Sequence, residues 1–195
     1  ACVRYRAEGL RDFVFNIAHS ACGRLHGGAS LENLIAEAGH LHIMGTSLSS
    51  ADFIALNLRA ANAIRDRGGT VSFDPNVRKE ISSHDEMADA FEKILALTDL
   101  FLPSGDELTH ITQRPTVSDA VSDLLAQGIK AVVHKRGAEG ASFTALWLRG
   151  TAPADALRLA AASGAMAVTR RGPMEGVADL ATLEAFAAKH GRPSP

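Results

Sequence analysis

The sequence predicts an α/β fold of three layers, a mainly parallel sheet with helices on both faces. Short apolar runs at 41–44, 70–73, 99–102 and 131–134 alternate with stretches whose apolar residues recur at helical spacing. Glycine or proline punctuates most of the junctions between them. No internal repeat, low-complexity tract or linker interrupts the order, so 1–195 reads as a single α/β domain. Strands separated by helices favour parallel pairing through right-handed crossovers.

The elements come in a regular order. Leu41 to Met44 reads as a strand that ends in Gly45-Thr46-Ser47, and Ile54, Leu58, Ala61 and Ile64 mark the apolar stripe of the next helix. Gly68-Gly69 stops that helix, because glycine takes the left-handed C-cap conformation at little cost. Thr70 to Phe73 alternates as a strand and turns at Asp74-Pro75-Asn76, which completes a βαβ unit. Glu86 to Leu97 is predicted helical with Ala88, Phe91, Ile94 and Leu95 inward; Asp99 to Leu102 is a strand that Pro103 ends, and a short helix comes next. Val117 to Gln127 is an amphipathic helix closed by Gly128, and Ala131 to His134 is a strand running into Lys135-Arg136-Gly137. Two helices finish the chain, one from an N-cap at Thr151 through Pro153 to Thr169 and one from Leu180 to Lys189, before a Pro-rich tail.

Composition bounds the function. Hydrophobic residues make up 46% and charged residues 22%, with a formal charge of -2, the balance of a soluble globular protein and not of one that coats nucleic acid. Cys2 and Cys22 have no framework spacing for disulfides or zinc and fit a reducing compartment, so a cytoplasmic location is expected. No run approaches the roughly 20 apolar residues that span a bilayer, so no membrane partner is expected.

In open parallel sheets ligands bind beyond the carboxyl ends of the strands. The loops to inspect are therefore Gly45-Thr46-Ser47, Asp74-Pro75-Asn76, Pro103-Ser104-Gly105-Asp106-Glu107 and Lys135-Arg136-Gly137. Their hydroxyls, carboxylates, amide, lysine and glycines suit a hydrated magnesium ion and phosphate oxygens. The Walker phosphate loop is missing from the sequence, and Gly137-Ala138-Glu139-Gly140 is not the glycine fingerprint of dinucleotide folds, so a nucleotide needs another scheme. A nicotinamide-dependent oxidoreductase lacks its fingerprint here for the same reason.

Four segments occur in a telling order: VSFDPNVR at 71–78, DLFLPSGDEL at 99–108, VVHKRGAEGA at 132–141 and ALRLAAASGAMAVTRRG at 156–172. They resemble the ribokinase (PfkB) family of carbohydrate kinases over most of residues 40–180, above all the branch that phosphorylates 2-keto-3-deoxygluconate and related ketoses. The resemblance implies a ribokinase-like fold and ATP-dependent phosphorylation of a sugar or keto-sugar hydroxyl, with ATP and Mg2+ as cofactors, a small sugar or keto-sugar acid as partner, and room for a homo-oligomer. It implies that Arg78 stabilises charge on the transferred phosphoryl group, and that Asp74 and Asn76, with Asn16 in the DFVFNIAHSA stretch, touch the sugar. Ser104 would face the nucleotide, and Glu107 would organise magnesium through water. Lys135, Gly137 and Gly140 would run along the nucleotide, and Ser163 and Gly164 would line the adenine pocket. Each has a plainer reading beside it: Asp-Pro-Asn is good turn chemistry, Ser104 with Glu107 three residues on forms a capping box, and Ser163-Gly164 is a site of close helix packing.

The sequence also departs from that family. Its Gly-Ala-Gly-Asp element, in which backbone amides form an anion hole and the Asp takes the hydroxyl proton, is not found. After Gly137-Ala138-Glu139-Gly140-Ala141 the chain runs at once into Ser142-Phe143-Thr144-Ala145-Leu146-Trp147-Leu148, which resembles the stretch just beyond that Asp in family members. A segment on the order of 30 residues thus reads as missing between Ala141 and Ser142, together with an N-terminal sugar-binding and lid segment. Asp155 lies too far into the next helix to replace the Asp. The alternative is a catalytically inactive relative that binds sugar or nucleotide. His40 and His42 alternate on one strand face but lack a third metal ligand in the pattern, and Ser20 to Cys22 lacks a nucleophile elbow.

Overall fold

The structure, a computed structural model, describes residues 2–5, 11–14, 20–21, 25, 27–48, 50–77, 85–135, 149–167, 169 and 178–190. Contacts divide the chain into two compact units, Ala1–Val132 and Val133–Pro195.

The first unit is built on a four-stranded parallel sheet of β3 (His40–Met44), β4 (Thr70–Asp74), β5 (Leu100–Phe101) and β6 (Ala131–Val132), in that spatial order. Register runs from His40 opposite Thr70 to Met44 opposite Asp74, and Phe73 sits beside Phe101. Between the strands come α2 (Ala51–Asp66), α3 (Asp85–Leu95), and the pair α4 (Glu107–Thr112) and α5 (Val117–Ala126). Strands in sequential order with right-handed crossovers place their connecting helices on one face. The core bears this out, because the period-two alternation of the strands sends Ile43, Val71, Phe73 and Phe101 to the side where Ala61, Phe91, Ile94 and Leu124 of the helices meet them. Phe73 is fully buried, with its ring 5.4 Å from Phe91 and 5.7 Å from Phe101. Burying such a ring contributes about 2–3 kcal/mol.

Local chemistry sets the helix ends. The Ser50 hydroxyl accepts the Phe53 amide at the start of α2, and the Thr116 hydroxyl accepts the Asp119 amide at the start of α5. Gly68, at φ +81, lets the chain leave α2 while the Gly69 amide donates to Ile64 O.

Two features precede the parallel sheet, and the second strand of the first overlaps the start of the DFVFNIAHSA stretch. Cys2–Tyr5 (β1) pairs antiparallel with Arg11–Val14 (β2) in a separate two-stranded sheet, and Ala29–Glu37 forms a short helix, α1. In the other direction, β5 and β6 are two residues each, shorter than the four-residue runs that the sequence suggests. In the second unit α6 (Pro153–Ala167) packs with α7 (Leu180–His190), burying Ala156, Leu159, Ala160 and Ala162 of one and Leu183 and Ala187 of the other. The small residues of α6 serve this close packing. No helix of the described residues is long and apolar enough to cross a membrane.

Candidate active site

Because β3, β4 and β5 are parallel and adjacent, their carboxyl ends deliver three loops to one rim. The first is a 3-10 turn, Gly45–Ser47, in which Ser47 Oγ donates to Met44 O. A Cβ at Gly45 would stand 1.6 Å from the carbonyl oxygen of Pro75, so only glycine lets the first loop lie this close to the second. In that second loop Pro75 is buried, while Asp74 and Asn76 are half-buried. Asn76 has φ +38, a conformation that asparagine tolerates better than most residues and that turns the chain sharply after β4.

The third loop leaves β5 through the buried Leu102-Pro103 pair, with the Leu102 amide still donating to Phe73 O. Glu107 then opens α4 and joins the second and third loops. Its Oε2 accepts the Ser104 amide and its Oε1 accepts the Val77 amide, both at 2.6 Å. Hydrogen bonds to an ionised carboxylate are short and about twice as strong as neutral ones. The capping-box reading is therefore half met. The Glu107 side chain does reach back to Ser104, but the N-cap is Asp106, and the Glu107 amide donates to the Ser104 carbonyl.

Two other polar groups of this sheet serve different ends. Asp99, at the opposite end of the strands, accepts the Val71 amide at 2.8 Å and pairs with Arg65 at 3.4 Å and Lys130 at 2.9 Å. Its main-chain carbonyl accepts the Lys130 and Ala131 amides, so one residue ties the beginnings of β4, β5 and β6. On the sheet face away from the crossover helices, His40 bonds Thr70 Oγ1 and Ser72 Oγ at 2.8 Å each, and His42 bonds Ser72 Oγ at 2.7 Å. Burial holds the His40 imidazole below its ordinary value, helped by the like charge of His42 and opposed by Asp99. These bonds make the pair part of a hydrogen-bonded patch of the sheet; among the described residues no group of three His, Cys, Asp or Glu is placed to hold a metal ion.

A family model, described as pfkB family carbohydrate kinase, matches residues 1–145. The chain belongs to the PfkB family of carbohydrate kinases. Relatives within it agree. A 2-dehydro-3-deoxygluconokinase of Bacillus subtilis (strain 168) is 33% identical over 108 residues, covering 54% of this chain and 33% of the relative. A fructokinase of Vibrio alginolyticus is 26% identical over 136 residues, covering 68% and 43%. The chain thus spans less than half the length of these PfkB relatives. An E. coli protein assigned as ribokinase II and solved with ATP and Mg2+ superposes with a TM-score of 0.83 at 36% identity, covering 93% of this chain and 69% of that one. The fold is ribokinase-like.

Of the PfkB residues expected from the sequence, the first unit brings Asp74, Asn76, Ser104 and Glu107 to the rim. The second unit holds Lys135 and Ser163, both half-buried, and Gly164, buried within α6. Asn16, Arg78, Gly137, Gly140 and the Ala141–Ser142 junction lie outside the described residues. Sequence reasoning missed the part Val77 plays through its amide. A main-chain donor 30 positions from its acceptor carries no signature in side-chain identity.

Proposed function

We propose that the protein transfers a phosphoryl group from ATP to a hydroxyl of a sugar or keto-sugar acid. The supporting observation is that Glu107 joins the loop after β4, which carries Asp74 and Asn76, to the loop after β5, which carries Ser104, by accepting the Val77 and Ser104 amides, in a chain of the PfkB family. Its donor set of carboxylate, amide and hydroxyl oxygens suits a hard cation that keeps most of its water. When bound, ATP supplies the phosphoryl group and Mg2+ offsets its charge.

The chain's own work is positioning and charge stabilisation. Asp74, Asn76 and Asn16 hold sugar hydroxyls. Arg78, immediately after the clamped Val77, neutralises charge on the phosphoryl oxygens. Ser104, Lys135, Gly137, Gly140, Ser163 and Gly164 hold the nucleotide, and Glu107 receives a magnesium-bound water. Substrates in the class named for the relatives, fructose and 2-dehydro-3-deoxygluconate, are the first to test. A cytoplasmic location fits dependence on ATP and the two isolated thiols.

A second reading, a relative that binds without turnover, is favoured by one observation: Ala141 is followed directly by Ser142, with no Gly-Ala-Gly-Asp in the sequence. Calorimetry with MgADP, paired with ADP release from MgATP in the presence and absence of sugar, separates the two. The kinase reading expects sugar-dependent release; the binding reading expects heat without release, and neither signal would contradict both. In an active enzyme Arg78→Ala should lower kcat about 100-fold or more. An unchanged kcat would remove Arg78 from the mechanism.

A further inference from the structure

Glu107 makes one arrangement that its magnesium role does not require. Its two carboxylate oxygens take amides from two different loops, Ser104 three residues before it and Val77 thirty residues before it. Those loops belong to the two sides of the proposed reaction. Val77 ends the Asp74-Pro75-Asn76 turn on the sugar side, and Ser104 begins the nucleotide side.

We propose that Glu107 is a positioning residue that couples the two loops, so that nucleotide contact at Ser104 sets the path of the sugar-side loop through Val77. The proposal rests on the functional reading above. Its physical basis is local. Residues 74 to 77 leave the end of β4 and pass a left-handed residue, Asn76, before the chain continues to Arg78. A turn of this kind needs an external tie to keep one conformation. On one flank Gly45 allows the turn's backbone to pack closely against the first loop; on the other the tie is the Glu107 carboxylate. That carboxylate sits at the start of α4, whose Leu108 is fully buried in the core, so the clamp is mounted on a fixed element. A shift of the Ser104 backbone pulls on one oxygen, and the rigid planar carboxylate transmits it to the other.

Glutamine tests the coupling with almost no change of volume. It keeps one acceptor oxygen and turns an NH2 group toward the second amide, so one of the two loops must let go. Amide hydrogen exchange is the direct readout. Glu107→Gln should raise exchange at Val77 or Ser104 by about tenfold or more, with Val71 and Phe73 unchanged as controls in the same fold. Glu107→Asp, too short to span both loops, should release Val77 in the same way if the Gln variant folds poorly. Equal exchange at both amides in wild type and variants overturns the clamp.

Coupling is read by adding MgADP while tracking amide resonances. The expected result is that Ser104 and Val77 both move in the wild type, and that only Ser104 moves in the Gln or Asp variant. If Ser104 moves and Val77 does not in the wild type, the coupling is wrong while the nucleotide site stands. If neither moves, although exchange confirms the clamp, the nucleotide reading of this rim fails and the coupling falls with it.

Discussion

Asp99 and His40 show how single residues on one sheet answer to different physics. The Asp99 carboxylate is 5% exposed and accepts a buried amide, whereas Lys130, one of its two cations, is 61% exposed. Removing a buried, hydrogen-bonded charge leaves its partners unsatisfied, so Asp99→Ala should cost about 3 kcal/mol. Lys130→Ala gives up an ion pair with one end in water and should cost under about 1 kcal/mol. Urea denaturation of the two variants checks the contrast; similar losses would contradict it.

His40 responds to pH. Burial first, and then the charge of His42, hold its imidazole below the ordinary value of 6.5, with Asp99 pulling the other way and Thr70 and Ser72 accepting or donating hydrogen bonds. The folded state therefore binds a proton less readily than the unfolded one. The stability that His40 contributes is present above pH 6.5 and is lost as pH falls below that value toward the lowered folded one. Melting temperature should drop less between about pH 7.5 and about pH 5 in His40→Gln than in the wild type. An identical drop would assign the pH dependence to other groups. None of this was legible in the sequence, which shows two alternating histidines but not the hydroxyls that face them from the next strand.

At the scale of the elements, the helices were the most readable. Apolar spacing located α2, α3 and α5 because each presents one stripe to the sheet, and glycine marked the ends of α2 and α5. Thr116 has a double role at the start of α5, accepting the Asp119 amide and donating to the Asp119 carboxylate at 2.7 Å. Thr116→Ala should lower stability by about 1 kcal/mol, read from thermal or urea unfolding, and no change would mean that the cap is redundant. Strands were less readable. Leu102 and Val133 continue the apolar runs of β5 and β6, but residue pairing stops at Phe101 and Val132, with one further bond from the Leu102 amide to Phe73 O, so hydrophobicity overstated the strands' length. The β1–β2 hairpin was missed because arginines and an aspartate break the apolar pattern at Arg4, Arg11 and Asp12. Antiparallel pairing of the backbone does not need an apolar stretch on both faces.

For the whole molecule, order along the chain carried the family reading. Four separate segments in the right sequence pointed to a PfkB carbohydrate kinase, and the match over residues 1–145 places the chain there. Spacing made Ser104 and Glu107 legible as a pair, and strand-end position did the same for Asp74 and Asn76. The junction between the two pairs was not legible, since it depends on parallel strands setting loops side by side that are 30 residues apart in the chain.

The measurement that bears most directly on the central claim is phosphorus NMR of the full chain with MgATP and either fructose or 2-dehydro-3-deoxygluconate. A carbohydrate kinase should convert the γ-phosphate signal into a phosphomonoester signal that requires the sugar and appears alongside ADP. An unchanged ATP spectrum with either sugar, under conditions where calorimetry shows nucleotide bound, would contradict the kinase account and leave a ligand-binding member of the family.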